Sequence, residues 1–115
     1  VHEIDCVIAG RQGQVGTLDE GSELVILRED KCRELKLDVN GARVLTMEAA
    51  NGSKNDLEGC AEWVEIEISG VKTWAHAYIV GDAPYDLLLG RPWLRSVRLQ
   101  KIEMESGVDV VIHSP

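Results

Sequence analysis

Apolar residues in this chain come in short runs, each cut off by a glycine-bearing or polar turn, and that spacing leaves room for strands but little for helices. Ile4, Cys6 and Ile8 share one face ahead of Gly10-Arg11-Gln12-Gly13, the period-two pattern of a half-buried strand followed by a turn. A second strand is expected over residues 14–18, and Leu24-Val25-Ile26-Leu27 is short, wholly apolar and β-branched enough to be a buried one. Asp19-Glu20-Gly21-Ser22 is then a loop between two strands. Helical spacing is confined to residues 28–37, with Cys32, Leu35 and Leu37 facing inward, and to residues 91–97, where Pro92 suits a first turn.

Residues 43–50 read as a strand, 51–55 as a polar turn, and 63–68 as the partner arm of a long hairpin. Strands follow over 73–80 and through Asp86-Leu87-Leu88-Leu89 to Gly90, and a terminal hairpin joins 97–105 to 108–113 around Ser106-Gly107. Many short strands with two short helices predict an all-β barrel or sandwich.

With 115 residues, 44% apolar and 28% charged, the chain has the balance of one folded domain spanning 1–115 rather than of a disordered tail. Twelve Lys and Arg against 20 Asp and Glu leave a charge of -8, which repels phosphate backbones and anionic lipid, so neither nucleic acid nor membrane is expected as a partner. No apolar run approaches a spanning helix, and the first residues lack the basic flank and apolar stretch of a signal peptide. The chain begins at Val1 and is read as a piece of something longer, in an intracellular, cytoplasmic setting. Cys6, Cys32 and Cys60 form no Cys-x-x-Cys pair, and His2, His76 and His113 match no metal or triad spacing. No metal or cofactor is expected, and isolated buried thiols in a reducing compartment are the simpler reading.

Three segments could carry chemistry. Asp19-Glu20-Gly21-Ser22 places polar groups between two apolar strands, where they are costly unless hydrogen-bonded. On its own the segment reads more simply as an Asx turn than as a catalytic loop. Leu87-Leu88-Leu89-Gly90-Arg91 is an apolar strand ending at a glycine and a cation, and Asn51 to Asn55 is a polar hairpin tip. Asp19, Glu20 and Glu23 are too few oxygen ligands for a calcium loop.

In this order and spacing the three segments resemble the retropepsin family, the aspartic proteases of retroviruses and LTR retrotransposons, and look most like the versions in fungal retroelement polyproteins. Thr17-Leu18-Asp19-Glu20-Gly21-Ser22 matches in part the family's apolar-apolar-Asp-x-Gly-[Ser/Ala] motif, and Leu88-Leu89-Gly90-Arg91 matches its apolar-apolar-Gly-Arg motif, with a glycine-bearing hairpin between them. The resemblance implies a closed β-barrel with a flap, one lobe of a homodimer acting on a peptide or polyprotein, with Asp19 as each chain's catalytic carboxylate. It further implies an ion pair of Glu23 with Arg91, a flap tip at Asn51, Gly52 and Ser53, backbone contact to substrate at Gly21, and apolar subsites at Ile26 and Leu88. A terminal hairpin with Val108, Val110 and Ile112 alternating is expected to hold the dimer.

Glu20 departs from the pattern, since the family usually carries Thr or Ser there. Close to two catalytic carboxylates and its own symmetry mate, it is expected to be protonated. The departure leaves two readings, an active endopeptidase and a retropepsin-like dimerisation module without catalysis.

Overall fold

The computed structural model describes residues 2–42, 46–48, 54–56, 59–98, 100–104 and 107–115. Alternation at the amino end produces β1 (His2–Ile8), which buries Cys6 and Ile8 and exposes Glu3 and Asp5. The turn comes earlier than expected, at Ala9-Gly10, and β2 (Arg11–Leu18) already includes residues 11–13. Both turn residues have positive φ, +50° and +80°, the left-handed pair that matches the twist of a tight hairpin.

After β3 (Val25–Arg28) and α1 (Glu29–Glu34) come β4 (Thr46–Glu48) and β5 (Lys54–Asp56), then β6 (Cys60–Ile68) and β7 (Val71–Val80). The chain finishes with β8 (Leu87–Leu89), α2 (Arg91–Ser96), β9 (Gln100–Met104) and β10 (Gly107–Val111). Six strands close a barrel in the order β1-β2-β8-β3-β7-β6. Among the described residues, no helix is long and apolar enough to cross a membrane.

Two expectations are corrected. The strand at 46–48 pairs with residues 54–56, not with 63–68, so Asn55 lies in a strand rather than a turn. Among the described residues β6 pairs instead with β7 along one edge and, on the other, with β1 at Val7↔Glu67 and Ile8↔Ile66 and with Asn40 at Cys60. The first helix is shorter than 28–37, because Arg28 still pairs with Val80 in the sheet and Lys36 turns to φ +55°. The terminal hairpin of β9 and β10 is a separate two-stranded sheet, anchored by the His113 N–H donating to the Val97 carbonyl at 2.8 Å.

One connection positions everything that follows. β8 runs parallel to β2, with Leu18 beside Leu89, and antiparallel to β3, with Ile26 beside Leu88. It therefore lies between two strands that are consecutive in sequence, and residues 19–24 must bridge across its carboxyl end. Leu18, Leu27, Leu87 and Leu89 point into the barrel with Ile8, Ile66 and Val97. Helix α2 is pinned to this core by Trp93, whose indole Nε1–H donates to Thr73 Oγ1 at 2.8 Å while that hydroxyl donates to the Ile66 carbonyl at 2.6 Å. The three cysteines are free and buried. Burial, followed by the charges of Asp5 and Asp86, pushes the Cys6 thiol up to about 11.

Candidate active site

The bridging loop is built on Asp19. Its N–H donates to the Leu89 carbonyl at 3.1 Å, which continues the β2–β8 ladder by one step, and its own carbonyl accepts the Ser22 N–H at 3.2 Å. Its carboxylate Oδ1 accepts the Gly21 N–H at 2.8 Å. Ser22 Oγ donates to the Leu24 carbonyl at 2.9 Å and accepts the Leu24 N–H at 3.2 Å, so the chain leaves the loop already directed into β3. Short polar side chains folding back on neighbouring backbone explain why this sequence turns here.

Arg91 closes the loop from the other side. Its N–H donates to the Ser22 carbonyl at 2.8 Å, its Nε to the Glu20 carbonyl at 2.7 Å, and its Nη1 lies 2.7 Å from Glu23 Oε1. Three loop residues are thus held by one rigid guanidinium and the peptide that carries it, an arrangement a lysine could not copy. Gly90 makes the approach possible: a Cβ there would overlap the Leu24 carbonyl oxygen and lie 2.7 Å from that of Ser22. At the opposite end of β8, Arg28 Nη2 holds Asp86 at 2.8 Å and its Nε holds Asp30 at 2.6 Å. The hydrogen bond from Arg28 keeps the Asp30 carboxyl below the usual range.

Beside the loop, on the outside of the barrel, lies a second apolar cluster of Ile26, Ala83 and Leu88, with Leu24, Val80 and Tyr85 packed against it. Ile26 and Leu88 were expected to line subsites, and they come together here. Tyr85 lies in the connection between the strands expected at 73–80 and 86–89 and is not among the expected site residues; an aromatic two residues before the apolar run of Leu87 to Leu89 was the available signal. Burial raises the Tyr85 phenol above its ordinary value, and the charge of Asp19 adds to the shift, so that phenol lies within the field of the loop carboxylate. Asn51, Gly52 and Ser53 lie outside the described residues.

No protein-family model matches the sequence, and no curated protein matches it either. Among solved structures, the chain is similar to the retroviral protease-like domain of Ddi1 from Leishmania major, with a TM-score of 0.69 over 96% of this chain and 93% of that one. The fold is retropepsin-like. At 14% identity the likeness is one of architecture, and the chemistry of the loop rests on its own geometry.

In this retropepsin-like barrel Glu20 is exposed and shares a concave surface with Arg91, Leu94, Arg95 and Arg98. Three arginines thus line the same surface as Glu20.

Proposed function

We propose that this chain is one protomer of a homodimeric aspartic endopeptidase, acting on a peptide or polyprotein of the retroelement type, with Asp19 as the catalytic group each copy supplies. The observation that carries the reading is the placement of the Asp19 carboxylate. A loop braced by Arg91 and Gly90 holds it at the edge of the cluster formed by Ile26, Leu88, Leu24, Val80 and Tyr85. Such a wall offers burial to substrate side chains while the carboxylate faces the scissile bond.

One carboxylate per copy requires a twofold axis through the site. Two carboxylates about 3 Å apart cannot both ionise, so one retains a proton. The ionised partner takes a proton from a water that attacks the scissile carbonyl carbon, and the protonated one donates to the carbonyl oxygen. The pair titrates as a unit. The β9–β10 hairpin, which pairs with no barrel strand among the described residues, is the natural element for joining two copies, since its free edges invite a strand from another chain.

The test is cleavage of oxidised insulin B chain from acid to neutral pH, with sedimentation of the same samples. Wild type is expected to sediment as a dimer and cleave, while Asp19→Asn keeps the dimer and loses activity by about 10²-fold to 10⁴-fold or more. Equal cleavage by both proteins would end the reading. A dimer that leaves the peptide intact would identify an assembly module instead.

A further inference from the structure

The apolar wall beside Asp19 does not stop at the cluster. Along β7 the outward-facing side chains are Trp74, His76, Tyr78 and Val80, alternating with Thr73, Ala77 and Ile79 on the inside. Val80 packs against the cluster, and Tyr78 stands beside Ile26 in the β3–β7 register. Farther along, Trp74, His76, Tyr78, Leu24, Pro92 and Trp93 line a groove of about 340 Å³ between β7 and α2. Leu24 belongs to both, packing on the cluster and lining the groove. From Val80 to Trp74 the strip runs ~20 Å at the strand rise of roughly 3.3 Å per residue, the length of about six residues of an extended peptide.

Trp74 is 47% exposed although large and apolar. A water-facing tryptophan at the lip of an apolar groove marks an interaction surface more than an isolated one does. Several polar groups of the groove are committed elsewhere: Glu23 to Arg91, the Trp93 indole to Thr73, Ser96 Oγ to the Trp93 carbonyl and His76 Nδ1 to the Trp63 N–H. What remains on offer is mostly apolar and aromatic area. The volume lies near the small end of the range for ligand sites, about 300–1,000 Å³, and suits one or two large side chains.

We propose that this groove is a distal subsite of the same cleft, which binds a large apolar or aromatic side chain of an extended substrate several residues from the scissile bond. The inference rests on the endopeptidase reading for its occupant and on the continuity of the strip through Leu24 and Tyr78 for its location. Binding that is equal in the ground state and the transition state lowers KM without raising kcat, and the groove then discriminates between long substrates.

Two measurements test it. Trp74→Ser is expected to raise KM for oxidised insulin B chain at least about tenfold, as loss of an aromatic anchor does. A hexapeptide spanning only the mapped scissile bond is expected to be cleaved equally by both proteins. Independently of turnover, Asp19→Asn labelled at its indole nitrogens is titrated with the same B chain. The Trp74 and Trp93 signals are expected to move more than that of Trp63, which is 71% exposed and meets the groove only through His76. Shifts without wild-type cleavage would keep the groove and remove the endopeptidase. Cleavage or binding without shifts at Trp74 would overturn the groove and leave the endopeptidase. Absence of both cleavage and shifts overturns the groove as well, and so do Trp74 shifts that follow protein concentration without peptide, since a second copy would then be the occupant.

Discussion

The two apolar clusters share the same strands and differ in what surrounds them. Leu27, Leu87 and Leu89 face the core of a closed barrel, whereas Ile26 and Leu88, their immediate sequence neighbours, face a shallow cluster of Ala83, Leu24, Val80 and Tyr85 beside Asp19. A three-residue strand apolar on both faces is thus divided between two tasks, one side sealing the fold and the other furnishing the wall of the candidate cleft. Continuous apolar runs of this kind mark strands covered on both faces, and here the second cover is thin.

The sharpest way to break the division is at Gly90, where both clusters end. Gly90→Ala drives a methyl into the backbone carbonyls of Leu24 and Ser22, which cannot rotate aside as a side chain could. Destabilisation is expected to exceed the ~3 kcal/mol that marks ordinary overpacking, read as a lower urea midpoint or as failure to fold. A normal midpoint would mean that the loop is free to lift off β8, and the bracing by Arg91 would lose its meaning.

Smaller effects separate the two faces. Leu87→Ala, inside the barrel, is expected to cost about 3 kcal/mol, while Leu88→Ala is expected near about 2 kcal/mol, because a cluster open on one side can collapse around the loss. The larger consequence of Leu88→Ala belongs to turnover, as a raised KM for peptide, with a thermal midpoint lowered less than by Leu87→Ala. Equal costs at both positions would show that the outer cluster is as sealed as the core and forms no cleft wall.

How much of this was visible in the sequence follows the same division. Alternation located the strands, because Ile4, Cys6 and Ile8 or Val64, Ile66 and Ile68 must bury one face. It could not name partners, and so the arm at 63–68 was given to 43–50 when β1 and β7 had already claimed it. The bulge between Ala61 and Val64, with Trp63 at φ +52° and its N–H donating to His76 Nδ1 at 3.2 Å, leaves no mark in a period-two pattern. At the site, the pairing of Glu23 with Arg91 came from resemblance alone. The hydrogen bonds of Arg91 to the backbone of Glu20 and Ser22 have no side-chain signature at all. Tyr85 joins Ile26 only because β8 crosses between β2 and β3, a contact that no local spacing encodes.

The least disruptive probe of the comparison is the phenol of Tyr85, which sits where the outer cluster meets Asp19. Its folded pKa lies above the ordinary value of 10.0, first through burial and second through the charge of Asp19. A raised folded pKa means that the phenol's contribution to stability is complete below its unfolded pKa and is lost as pH rises through the folded one. Asp19→Asn removes only the second cause. The Tyr85 transition, followed by phenolate absorbance and assigned with Tyr85→Phe, is expected to move to lower pH while remaining above 10.0. An unmoved transition would place the Asp19 carboxylate beyond reach of the wall, and the outer cluster would then be a patch of packing with no bearing on the candidate site.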